Sequence, residues 1–212
     1  MSPRRSALAL AGTLCAAVAL NGCSNSTQSS GTIPGAGAGE ASSSASVNPS
    51  TTASIPSDLT LDIVMTSTGN AAEDVLQAKT KSLLYAYEEA VARANPNDPL
   101  YQSMVSGSAA LSIASEVREF AQAGQRPIGV IKFYAFQVST RSFSGGVSAS
   151  DVDFCEDTSQ TRMLVTKTGA TAAPPTTGAS EQSLWDVGYL TEKGKSTVEL
   201  VDIQPGGSSC TG

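Results

Sequence analysis

The chain has 212 residues, with 13 Lys and Arg against 19 Asp and Glu, a net charge of −6 and no histidine. An acidic chain is repelled by nucleic acid and by anionic lipid headgroups. The absence of histidine removes the commonest general base and metal ligand, although it leaves carboxylate chemistry open.

Arg4 and Arg5 give the N-terminus positive charge, and residues 7–20 follow as an uncharged apolar run. A bilayer span takes about 20 residues, so this run is short for one. A charged start, an apolar middle of this length and a small-residue end describe an export signal. The end, Leu20-Asn21-Gly22-Cys23, resembles the lipobox of bacterial lipoproteins, in which a thiol accepts diacylglycerol behind a small residue at the cut. The resemblance implies a signal peptide over residues 1–22, cleavage between Gly22 and Cys23, and lipid on Cys23. It places the mature protein on the extracytoplasmic face of the cell membrane. Asn21 departs from the Ala, Ser or Thr that is commoner there. Arg4-Arg5 also hints at twin-arginine export. Ser6-Ala7-Leu8 does not extend that hint, so the general secretory route is expected. Removing residues 1–22 takes away two basic residues and no acid, leaving 11 basic and 19 acidic residues and a net charge near −8. Membrane contact is therefore expected from the lipid rather than from a basic face, and two or more acyl chains anchor stably where one holds weakly.

Residues 24–57 read as a disordered tether. Of these 34 residues 27 are Ser, Thr, Gly, Ala or Pro, and Glu40 carries the only charge. Such a stretch buries too little apolar surface to offset its ordering entropy. As a flexible coil it would reach roughly 30 Å. Gly35-Ala36-Gly37-Ala38-Gly39 has the glycine spacing of a phosphate loop, but it follows no strand and opens no helix.

The folded domain is expected over residues 58–212. Leu59, Leu61, Ile63 and Met65 alternate with Thr60, Asp62 and Val64, the signal of a short strand. Residues 71–94 read as a long helix, with Leu76, Leu83, Tyr87 and Ala90 on one face and Leu84 and Val91 widening it. Asn95-Pro96-Asn97-Asp98-Pro99 stops it. Pro99 suits the first position of a short second helix. A third is expected over residues 108–123, with Leu111, Ala114, Val117 and Phe120 on one side. The period then changes to two. Strands are expected over residues 130–143, 147–154, 163–165, 184–190 and 197–203, with a Pro/Gly/Thr loop over 168–178. Helices followed by an antiparallel sheet describe an α+β domain, and about 150 residues suffice for one core.

Four cysteines are present. Cys15 leaves with the signal and Cys23 takes the lipid, so Cys155 and Cys210 remain as one disulfide candidate in a compartment where disulfides persist. The closed loop of 55 residues would contribute about 4 kcal/mol in the chain-entropy treatment. The alternative, a catalytic thiol at Cys155, needs a base that a chain without histidine does not readily supply.

The order of a long helix, shorter helices and strands resembles the nuclear transport factor 2-like cone fold, and more narrowly a set of exported actinobacterial and actinophage proteins. The resemblance rests on the break over residues 95–99, on Cys155-Glu156-Asp157-Thr158-Ser159 after a strand, and on the terminal Cys210. It covers about residues 70–210. It implies N-terminal helices packed on a curved antiparallel sheet and carries over no catalytic residue. The family's aromatic-basic-Val pattern on the last strand is missing here, where Ser196-Thr197-Val198-Glu199-Leu200-Val201 stands.

Asp151, Asp153, Glu156 and Asp157 form the densest acidic group. Clustered carboxylates suit calcium, but no looped calcium motif surrounds them, and a solvated strand edge is the expected role. Tyr85, Tyr87, Tyr134 and Asp153 are the residues that an acid–base enzyme of the cone class would draw on; core or rim positions are the expectation instead. No metal or other cofactor, no catalytic residue and no nucleic-acid partner is expected. The functional expectation is a non-enzymatic envelope lipoprotein whose domain engages another protein. The alternatives are a small apolar ligand or lipid binder, and a phage-encoded lipoprotein that excludes superinfecting phage.

Overall fold

The computed structural model describes residues 53–172, 181–206 and Cys210, all within one compact unit, Asn48–Gly212. The expected signal peptide, with Gly22 and Cys23, and nearly all of the expected tether lie outside the described residues. In chain order the elements are β1 (Leu59–Ile63), α1 (Ala71–Ala92), α2 (Pro99–Gln102), α3 (Gly107–Ala123), β2 (Gln125–Ser142), β3 (Val147–Val165), β4 (Gln182–Glu192) and β5 (Lys195–Pro205). The five strands form one sheet in the order β1-β2-β3-β4-β5.

This architecture corrects the expected fold class. The sheet is mixed: β1 pairs with β2 in parallel, from Leu59 opposite Gly129 to Ile63 opposite Phe133, and the other pairs are antiparallel. The helices are not N-terminal to the sheet, because β1 precedes them. All three lie in the connection between β1 and β2, and a parallel pair requires a long crossover of this kind. A curved, wholly antiparallel sheet behind N-terminal helices is therefore not what the chain forms; what holds is the coarser α+β class.

Local chemistry sets the boundaries. Asn70 caps α1, its side chain accepting from the Ala72 amide at 3.0 Å, and Asp74 fastens the preceding turn through the Thr68 amide and the Ser67 hydroxyl. Asp98 caps α2 at the Leu100 amide, with Pro99 at the first helical position. Gly124 ends α3 in the left-handed conformation. The third helix is rotated from expectation. Ala109, Ile113 and Val117 face the core, while Leu111 is 75% exposed.

Two expected strands, 147–154 and 163–165, are one continuous β3, paired along almost its whole length with an equally long β2. Gly129 has a positive φ and lies so close to β3 that a Cβ there would meet the Gln160 carbonyl oxygen at 2.4 Å. Only glycine fits that approach. One sheet face, with Phe133, Val152, Phe154, Trp185, Val187, Tyr189 and Val198, packs beneath the helices as the core. Along β4 the outward positions Leu184, Asp186 and Leu190 alternate with buried Trp185, Val187 and Tyr189. The opposite face carries no helix among the described residues. Folded contacts begin before Asp58: the Ser54 amide donates to Glu89 at 3.0 Å, and Ile55 packs against the core.

Candidate functional site

The acidic residues that the sequence places together are separated by strand alternation. Glu156 has the parity of Val152 and Phe154, so it points toward the helices, and Asp151 and Asp153 point to the open face. The result is one group of acids on each side of the sheet.

The inner group is built from several elements. Trp185 on β4 donates its indole N–H to Glu156 on β3 at 2.9 Å. The Trp185 ring stacks on Phe154, with centroids 5.7 Å apart, and meets Tyr87 of α1 edge to face, also at 5.7 Å. Tyr87 also interacts through its hydroxyl with Glu116 of α3. Glu88, next to Tyr87 on α1, is 3% exposed, and its Oε2 has no hydrogen-bond partner. Burial pushes all three carboxyls up, and their mutual repulsion adds to it for Glu88 and Glu116. Glu116 rises from its ordinary 4.5 to about 7. Glu88 rises well above it, first by desolvation and then by Glu156 and Glu116. Glu156 rises by desolvation, partly offset by the Trp185 hydrogen bond. The Tyr87 hydroxyl is likewise held protonated by burial and by the surrounding acids. No ion pair among the described residues engages any of the three glutamates.

On the open face Asp153 stands directly opposite Asp186, and Asp186 directly opposite Asp202. Asp151 pairs with Gly188, whose missing side chain leaves room for the Asp151 carboxyl and for Leu200. Like charges directly opposite one another destabilise a sheet. The Asp186 carboxyl is held up by desolvation first, then by Asp153, Asp151 and Asp202, and its Oδ1 is buried without a partner. Asp153 is raised by desolvation and by Asp151. Among the described residues no group of three or more acidic or cysteine side chains is placed to hold a metal ion.

Cys155 and Cys210 are bonded, with Cα atoms 5.6 Å apart, and the Tyr134 hydroxyl donates to the Cys210 carbonyl at 2.9 Å. Of the four residues an acid–base reading would draw on, only Tyr87 enters the inner group. Tyr134 and Asp153 belong to the other side of the sheet, and Tyr85 takes no part. Sequence reasoning singled out neither Glu88 nor Glu116.

A third feature is a cleft of about 310 Å³ beside α1, α2 and the β4–β5 pair, lined by Lys79, Leu83, Met104, Tyr189 and Val198 together with the hydroxyls of Ser82, Ser103 and Ser196. Tyr189 and Thr80 share a hydrogen bond of 2.9 Å behind it. No helix among the described residues is long and apolar enough to cross a membrane.

No family model and no curated protein matches the chain. Its likenesses among solved structures are distant. The intermembrane-space region of the chloroplast protein ARC6 is 12% identical, with 67% of this chain and 99% of that one covered and a TM-score of 0.37. A putative calcium/calmodulin-dependent protein kinase II association domain from Xanthomonas campestris is 11% identical, over 69% and 96%, with a TM-score of 0.38. Aln2 from a Streptomyces species is 9% identical, over 67% and 94%, with a TM-score of 0.36. Likenesses this remote assign neither a family nor an activity.

Proposed function

We propose that the chain is a lipid-anchored protein of the cell envelope, of the exported actinobacterial or actinophage kind that its sequence resembles. In this reading Cys23 carries the lipid after cleavage behind Gly22, and residues 24–57 serve as tether. The domain is a non-enzymatic interaction module. The observation that carries the interaction is the open sheet face, where Asp153, Asp186 and Asp202 lie opposite one another across three strands with no described cation between them. A basic protein surface would relieve that repulsion, and Leu190 and Leu200, both exposed on this face, would add apolar contact.

The test uses crosslinking in intact cells. Wild type should yield a defined crosslinked partner, and Asp186→Lys with Asp202→Lys should lose it while keeping the fold. Retention of the same partner by the charge-reversed protein contradicts this role for the open face. In parallel, Cys23→Ser should release the protein from the membrane fraction; a variant that stays there contradicts the anchor.

The cleft beside Lys79 favours a second reading, a binder of a small apolar or lipid-like molecule. Native mass spectrometry of the purified chain separates the two: a co-purifying small molecule supports the cleft, and an empty protein supports the surface. If the gene belongs to a phage or prophage, the protein would exclude superinfecting phage, and unchanged plating on cells that express it argues against that version.

A further inference from the structure

Resting on the reading of the cleft beside α1 as a ligand site, we propose that it selects a small amphiphile with an anionic head, of the class of a short-chain aliphatic carboxylate. Lys79 recognises the head.

The lining follows from the spacing along each element. Lys79, Ser82 and Leu83 stand at i, i+3 and i+4 on α1 and share one face. Ser196 and Val198 are two apart on β5 and share another, and Val198 is the register partner of Tyr189 on β4. Ser103 and Met104 follow directly on α2. That segment is fastened to β5, where the Val198 amide donates to the Met104 carbonyl at 3.2 Å and the Ser106 amide to the Val198 carbonyl at 2.8 Å. Backbone hydrogen bonds to the sheet therefore hold one wall of the cleft of about 310 Å³. Its floor is apolar, since Leu83, Tyr189 and Val198 are buried, and its mouth is polar, with Lys79 and Ser196 half-buried and Ser82 and Ser103 exposed.

The free donors at the mouth define the head. Ser82 donates to the Ala78 carbonyl at 3.1 Å, and Ser103 to the Leu100 carbonyl at 2.7 Å. Thr80 donates to the Leu76 carbonyl at 3.0 Å, so the Tyr189 hydroxyl gives its own proton to Thr80 at 2.9 Å. The Ser196 hydroxyl instead accepts from Thr191 at 2.8 Å and keeps its proton for a ligand. Lys79 has no carboxylate partner among the described residues, and no described acid lines the cleft. An ammonium with three N–H donors and one free hydroxyl call for acceptors and negative charge. A carboxylate accepts at both oxygens, and a charge-assisted hydrogen bond is roughly twice as strong as a neutral one. The volume lies at the low end of the roughly 300–1,000 Å³ of ligand pockets, which suits a short chain rather than a diacyl lipid. The net charge of −6 opposes any anion at long range, so the apolar floor supplies most of the affinity and Lys79 the selection.

The chain has four methionines, and Met104 is the one that lines the cleft. NMR of the full chain in nanodiscs, with isotope-labelled methionine methyl groups, reads the site directly and keeps Met65 and Met163 as controls for folding and for non-specific partitioning. The titrants at neutral pH are hexanoate, hexanol and hexylammonium. The expected result is a saturable shift of the Met104 methyl alone, with hexanoate at least about fivefold tighter than hexanol and hexylammonium weakest. Lys79→Gln should bring hexanoate down to the affinity of hexanol or below it and leave hexanol unchanged, whereas Lys79→Arg should keep the preference. Equal binding of hexanoate and hexanol overturns the anionic head and leaves the cleft a ligand site. A preference that survives Lys79→Gln overturns it as well, by locating the cation elsewhere. No Met104 shift with any of the three titrants overturns both the anionic head and the ligand reading of the cleft.

Discussion

The two faces of one sheet both hold acids with raised proton affinity; desolvation leads on both, and what accompanies it differs. On the helix side, Glu88, Glu116 and Glu156 are raised chiefly because they are removed from water among Tyr87, Trp185 and the aromatic core. On the open side, Asp153 and Asp186 stay partly wet; desolvation raises them first, and like charges brought close by strand register add to it. The first group is an interior that lacks a cation, and the second is a surface that repels itself. Packing and pH should therefore govern the first, and salt the second.

The largest expected contrast lies between neighbours on β3. Phe154 is 1% exposed and stacked between Phe136 and Trp185. Phe154→Ala should cost about 3–5 kcal/mol in urea unfolding. Asp153→Ala, one residue away on the open face, should change stability by less than about 1 kcal/mol. Similar losses from the two would erase the distinction between faces.

The next effect is on pH dependence. The unfolded chain ionises its glutamates near the ordinary value of 4.5, while the folded chain holds Glu116 protonated up to about 7 and Glu88 beyond its ordinary range. Between those values the folded state binds more protons, so stability is fully present at low pH and falls as pH rises through the folded values. Glu116→Gln should flatten that decline and stabilise the protein at pH 8 by up to about 3 kcal/mol. A decline that is unchanged in the variant assigns it to other groups.

Smallest is the response of the open face. Asp186→Asn removes the central charge of the row and should stabilise by roughly 0.2–1 kcal/mol at low salt, with the gain shrinking as salt screens the wild-type repulsion. Thermal melts at two ionic strengths read this directly. A gain that is independent of salt would show that like-charge repulsion contributes little to the cost of that row.

How far the sequence reaches follows from the range of each signal. The long helix was legible because Leu76, Leu83, Tyr87 and Ala90 recur on one stripe and Asn95 to Pro99 stop it. The last hairpin was legible because Glu192 to Lys195 break two alternating runs. The parallel pairing of β1 was not, since a five-residue strand contains nothing that says which distant strand it joins. The full length of β2 and β3 was hidden by polar residues such as Thr158 to Arg162 and by the left-handed Ala135, which accompanies a register shift between Tyr134 and Gln137. One part of the inner group was readable: Glu156 shares the parity of Val152 and Phe154, and alternation alone assigns it inward. Glu88 and Glu116 were not readable, because their role depends on α1 and α3 both packing over β3. A carboxylate beside Tyr87 has the local pattern of a solvated helix face, and only tertiary packing removes it from water.

The central claim is that burial without a cation raises the proton affinity of the inner glutamates, Glu116 to about 7. Carbon-detected NMR titration of the side-chain carboxyls in the full chain measures this most directly. Glu116 should titrate near 7, with Glu88 and Glu156 also above the ordinary 4.5. Titration of all three near 4.5, as for exposed glutamates, would contradict the account.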